Sequence, residues 1–334
     1  MIWLTWRQFR GQALIALAAL AALTVFLVLL GLRIRDTYAA YVTDCAAACS
    51  LSSARDAMED AHFGPLLLSG LLVVLVPALI GAFWGAPLVS REIETGTHRL
   101  VWSQSITRTR WLAVKLTFVT LAGIALAAAL SLLLTWAASP YDELLAGRFD
   151  PLLFPTRNIV PLGYAAFAVT AGTAIGLLTR RAIPAMAITL AVFAVLQILV
   201  PTAIRPHLRP AVTESVAFTP DTRVTEFSAG NSEGGGVTIN GYQGTIPGAW
   251  MMSNRVPLFD ASGEQVTRGE LGDCLTGELD RDMACLAQMN LHFTVKYQPA
   301  NRYWTFQWLE FGGYLLLGGA LAAFAFWHIR RGLS

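Results

Sequence analysis

Charged side chains are sparse along this chain, and between two long apolar runs lies a polar stretch over residues 90–111, SREIETGTHRLVWSQSITRTRW. It carries Arg91, Arg99, Arg108 and Arg110, with Lys115 just beyond, and two acids, Glu92 and Glu94. Residues 91–102 also have the spacing of a short amphipathic helix. Ile93, Leu100 and Val101 share one face, while Arg91, Glu92, Glu94 and His98 line others. A small two-faced helix hung between two apolar runs suits the passing of motion to something beneath it. The plainer reading is a cytoplasmic connector, which the bias of Lys and Arg toward that side produces by itself. Gly96 either allows close packing or a turn, or simply stops the helix.

The remaining reactive residues point away from catalysis. Four cysteines form two close pairs, Cys45/Cys49 and Cys274/Cys285, with no histidine near either at zinc-ligand spacing. Structural disulfides are the expectation, and four cysteines allow three connectivities, so local pairing and a bridge between loops both stay open. No G-x-x-x-x-G-K-[ST] phosphate loop occurs, and no H-E-x-x-H. The chain is therefore expected to be no enzyme, with no cofactor and no metal of its own. A net charge of +2 without a basic stripe argues against nucleic acid. Ion-driven transport needs an ionisable group at mid-membrane. Only Glu310 and Lys115 approach the apolar runs, and both read as residues near a membrane surface.

The elements that must position these residues are membrane spans. The chain is 55% hydrophobic and only 14% charged, against about 25% charged in soluble domains. Residues 1–12, MIWLTWRQFRGQ, alternate aromatic and basic groups and read as an interfacial helix on the cytoplasmic headgroups. Residues 13–32 then run without a charge, long enough to cross about 30 Å of hydrocarbon. Further spans are expected over 63–89, 116–136, 158–179, 183–204 and 309–327, with Gly163, Gly172 and Gly176 marking a packing face on the fourth. In this arrangement the short inner segments carry eleven Lys and Arg and the short outer ones five. That asymmetry puts both termini in the cytoplasm.

From residue 205 to 308 the composition turns to glycine, proline, asparagine and short β-prone runs, notably 236–239 and 292–297, with one helix expected over 277–289. The expected fold is thus an all-α polytopic membrane protein. It has an interfacial helix (1–12), five spans (13–204) with a cytoplasmic helix inside 90–111, a small mixed α/β extracytoplasmic domain (205–308), and a sixth span with a cytoplasmic tail (309–334).

The run Arg91-Glu92-Ile93-Glu94-Thr95-Gly96-Thr97 after the second span, with the basic N-terminus and six spans, resembles the membrane subunits of type-2 ATP-binding-cassette exporters. The extension through His98-Arg99-Leu100-Val101-Trp102-Ser103-Gln104-Ser105 and Thr107-Arg108-Thr109-Arg110-Trp111 is similar to an actinobacterial branch of those permeases. So is the run Tyr297-Gln298-Pro299-Ala300 with Tyr303-Trp304-Thr305-Phe306-Gln307-Trp308 near the end. The resemblance implies a permease of the bacterial plasma membrane working as a homodimer with a separate ATPase subunit, which would hold the ATP and magnesium. It further implies that the loop after the second span is the coupling helix, with Arg91, Glu92, Glu94, Gly96, Thr97, His98 and Arg99 at or near the ATPase. The charge-poor spans favour an amphipathic or lipophilic cargo such as a drug, antibiotic or lipid. A receptor or assembly factor displaying the outer domain without transport is the alternative. The long segment between the fifth and sixth spans departs from relatives that have short re-entrant helices there.

Overall fold

A computed structural model describes residues 2–44, 50–97, 107–145, 147–219, 222, 224, 226–230, 235–242, 248–253, 255–271, 274 and 279–331. The chain divides into two compact units, Met1–Arg205 with Trp304–Ser334, and Pro206–Tyr303.

The first unit is helical. Its elements are α1 (Ile2–Tyr38), α2 (Leu51–Ile80), α3 (Pro87–Glu94), α4 (Arg108–Leu145), α5 (Val160–Thr179), α6 (Ala182–Leu199) and α8 (Tyr303–Arg331). Six helical runs among the described residues are long and apolar enough to cross a membrane: Leu14–Thr43, Leu51–Glu94, Arg108–Leu145, Val160–Thr179, Ala182–His207 and Ala300–Arg331. These match the six uncharged runs of the sequence, with differences at their ends. No break separates residues 2–12 from the first span, because α1 is one continuous helix. The second helix begins at Leu51, where the Ser50 hydroxyl caps the Ser53 N–H, well before the apolar run at 63. The last begins at Tyr303 and not at 309, because Phe306 and Gln307 in its first turns are already fully buried.

α5 is the central span, 78% buried where the other five are 17–50% buried. Its small residues explain why. A methyl group on Gly172 or Gly176 would run into the backbone at Gly81 and Ala86. A Cβ on Gly85 opposite would lie 2.7 Å from the Val169 carbonyl oxygen. Backbones can meet this closely only where side chains are absent, which is how helices pack without a hydrophobic driving force. The stretch of α2 that meets α5 is a π-helical turn, Gly81–Gly85, and the Thr173 hydroxyl donates to the Gly85 carbonyl at 3.3 Å. Gly163 at the other end of α5 lies against Phe311 and Tyr314 of α8. All three glycines expected on this packing face are thus in close contact.

Among the described residues, the second unit is an antiparallel sheet with one α-helix. Strands β1 (Val212–Ala217), β2 (Glu226–Ala229), β3 (Val237–Asn240), β5 (Arg255–Phe259) and β6 (His292–Gln298) run in the order β1-β6-β5-β3-β2, and β4 (Trp250–Met251) pairs with β6. Strict alternation puts Val237 and Ile239, Val256 and Leu258, and Phe293 and Val295 into one core. Helix α7 (Leu279–Leu286) is tied down by a disulfide between Cys274 and Cys285, whose Cα atoms are 5.5 Å apart. The pairing within the loop is therefore the local one; Cys45 and Cys49 lie outside the described residues. A turn between β5 and β6 is closed by Asp260, whose carboxylate accepts from the Ser262 hydroxyl and the Glu264 N–H. These bonds hold its pKa below the usual carboxylate value.

Candidate functional site

Helix α3 continues α2 beyond the π turn and ends inside the polar stretch that dominates the sequence. The helix expected over 91–102 is not what forms in its described part. The chain leaves the helix after Glu94, turns through Thr95, and Gly96 takes a left-handed φ of +73°. Glycine is the residue that accepts this conformation without a Cβ penalty, so Gly96 acts as the helix stop. Residues 98–106, including His98 and Arg99, lie outside the described residues. The exit is closed by hydroxyls: Thr95 Oγ1 donates to the Arg91 carbonyl at 2.9 Å and lies 3.0 Å from Thr97 Oγ1. On the far side of the loop Thr107 Oγ1 accepts the Arg110 N–H at 3.3 Å and so caps α4.

The two acids of this helix end face inward to different spans. Glu92 is half-buried and forms an ion pair with Lys115 of α4, whose ammonium also sits 4.8 Å from the centre of the Trp111 ring. Glu94 is exposed, and its Oε2 accepts the Ala182 N–H at 3.0 Å. Ala182 opens α6, so this carboxylate satisfies one of the donors that every helix start leaves bare, at the end where the dipole favours negative charge. The connection it meets is tight: Arg180 takes a left-handed φ of +56° to end α5, and α6 begins two residues later. Beneath the acids, Val89 of α3 is packed with Trp111 and Leu112 of α4, Leu177 of α5, and Ala325 and Ile329 of α8, with Ile93 against the cluster. Arg91, Thr95 and Thr97 are exposed. One short helix end is thus fastened to four other helices while keeping an open basic and hydroxyl-bearing face.

A model of the ABC-2 membrane transporter related family matches residues 17–205, more than half of the chain. The chain belongs to this family. No curated protein and no solved structure matches it. Members of the ABC-2 family are membrane transport components, not catalytic enzymes by themselves, and in general have an ABC-type ATPase as partner. The match spans the first five candidate spans, the polar stretch included, and stops where the second unit begins.

Two further features bear on this ABC-2 chain. The letters G-x-S-x-G, a pattern that in hydrolases marks a nucleophile on a strand-to-helix turn, do occur at 230–234. Residues 231–234 lie outside the described residues, and the next element is β3, which pairs antiparallel with β2, so the helix that the pattern needs does not follow. The charges near the span ends are also buried within the protein, Lys115 at 7% and Glu310 at 3% exposed. Lys115 pairs with Glu92, Glu310 with Arg205, and a third buried pair joins Asp142 to Arg157. These pairs are long-range in sequence, and only the cost of leaving such groups unpaired in an apolar bundle hinted that partners exist.

Proposed function

We propose that this chain is the permease subunit of an ATP-driven exporter of an amphipathic or lipophilic compound, and that the end of α3 is where a separate ATPase subunit acts on it. The observation that carries the reading is the fastening of α3. A push on this helix end reaches α4 through Glu92 and Lys115, and α6 through Glu94 and the Ala182 N–H. It reaches α5 and α8 through the cluster around Val89. Packed cores transmit displacement because they have little free volume. Arg91, Thr95 and Thr97, with His98 and Arg99 beyond, supply the docking face, while Glu92 and Glu94 relay the movement inside the permease.

The sidedness follows the same logic. The basic segments at 91–110, 180–181 and 330–331 favour the cytoplasm. The Cys274–Cys285 disulfide favours an oxidising compartment for the second unit. The apolar, outward-facing side chains of α1, α6 and α8 fit a lipid surface and a second copy of the chain, and the charge-poor composition of the spans favours a lipophilic cargo over ions or sugars.

The experiment is co-purification from native membranes in mild detergent followed by an ATP hydrolysis assay. Intact protein is expected to bring down an ATPase, and Arg91→Glu to release it by reversing charge on the docking face. Recovery of intact protein with no nucleotide-hydrolysing partner would reject the exporter reading and favour a receptor that displays the second unit.

A further inference from the structure

The helices that meet the end of α3 are joined again at their opposite ends. Glu310, near the start of α8, is 3% exposed, and Arg205, at the end of the run that begins with α6, is 1% exposed. Arg205 Nε donates to Glu310 Oε2 at 2.8 Å and Nη2 to Oε1 at 3.1 Å, a side-on fork. The Tyr164 hydroxyl of α5 donates to the same Oε1 at 2.6 Å. The guanidinium lies over the Phe154 ring, 4.5 Å from its centre. One turn before Glu310, Gln307 accepts the Val160 N–H, the first of α5, and donates to the Phe154 carbonyl. The chain leaves the helical unit at Arg205 and returns at Trp304, so this cluster fastens together the two places where the second unit is inserted.

Each of α5, α6 and α8 therefore has two fixed ends. α5 contributes Leu177 at the α3 end and Tyr164 here; α6 and its continuation contribute Ala182 and Arg205; α8 contributes Ile329 and Glu310. At 1.5 Å per residue these attachments are about 20, 34 and 28 Å apart along the three helices. Between Ala182 and Arg205 the rod is interrupted by a π-helical turn, Val200–Ile204, a form that concentrates at sites of function. A charged pair this dry is poor value as mere glue, since apolar side chains of similar volume hold such a place at least as well.

We propose that Arg205, Glu310 and Tyr164 form a clasp that opens when nucleotide-driven movement of α3 displaces α5, α6 and α8. The clasp closes the far end of the three-helix layer in the resting state, and its release separates the end of the α6 run from the start of α8. This inference rests on the exporter reading, and the test keeps the two apart. Hydrogen–deuterium exchange is measured on the intact permease–ATPase complex, without nucleotide and with ATP, magnesium and vanadate. Opening predicts about tenfold or more faster exchange at Val160 and at residues 202–205 and 307–310 when nucleotide is trapped. A nucleotide response at residues 91–97 and 110–115 without one at the clasp overturns the clasp and leaves the exporter reading standing. No response at either end overturns both.

Discussion

Helices α5, α6 and α8 are fastened at both ends, and the ion pair beside each end sits differently. At the α3 end the ion pair is shallow: the Lys115 and Glu92 side chains are 9% and 16% exposed, and Arg91, Thr95 and Thr97 beside them are open. At the other end the Arg205 and Glu310 side chains are 2% and 1% exposed, and their hydrogen bonds are made inside the bundle. The difference teaches what each end is suited to. A shallow pair under an open face can be reached and moved by a partner. A dry pair bonded inside the bundle is suited to holding its helices together until they are moved.

The comparison is sharpest at the dry end. Glu310→Ala strands a buried guanidinium and is expected to destabilise the protein by about 3–5 kcal/mol, read as a lowered unfolding temperature in detergent. Replacing both partners, Arg205→Met with Glu310→Leu, is expected to restore stability, since a matched apolar pair needs no desolvation. A single change that leaves stability unmoved would break the contrast.

At the shallow end Glu92→Gln removes the countercharge of Lys115 with little change of shape. The expected loss is smaller, about 1–3 kcal/mol, because water reaches part of the site. The same variant should keep the ATPase bound while reducing the effect of nucleotide on exchange in α4. Arg91→Glu is the smallest perturbation of all, within about 0.5 kcal/mol in stability, because the side chain is exposed. Its effect is expected on partner recovery alone. Equal losses for Glu310→Ala and Arg91→Glu would mean that the two ends do not differ as described.

Much of the helical unit was legible in the sequence. Uncharged runs of twenty or more residues can be accommodated only as spans, and Gly163, Gly172 and Gly176 on one helix announced the close approach of neighbours. The alternating residues of 237–239 and 292–297 likewise fold as strands sharing a core. At Gly96 the left-handed backbone forms a turn at which the helix stops, with open space and not close packing around it. What the sequence hid was partnership. Glu310 lies 105 residues from Arg205 and 146 from Tyr164, and neither periodicity nor charge bias carries information over that distance. A glutamate near the end of an apolar run shows no partner until the fold brings an arginine to it. For the same reason the bond from the Ala182 N–H to Glu94, 88 residues apart, was not legible.

The most direct test of the account is a photoreactive amino acid placed at position 97, on the open face of the α3 turn, in cells that make the whole complex. Cross-linking there is expected to capture a protein carrying a phosphate-binding loop and ATPase activity, identified by mass spectrometry. If that ATPase co-purifies with the chain yet no cross-link forms from position 97, docking lies elsewhere and the role given to the end of α3 is wrong.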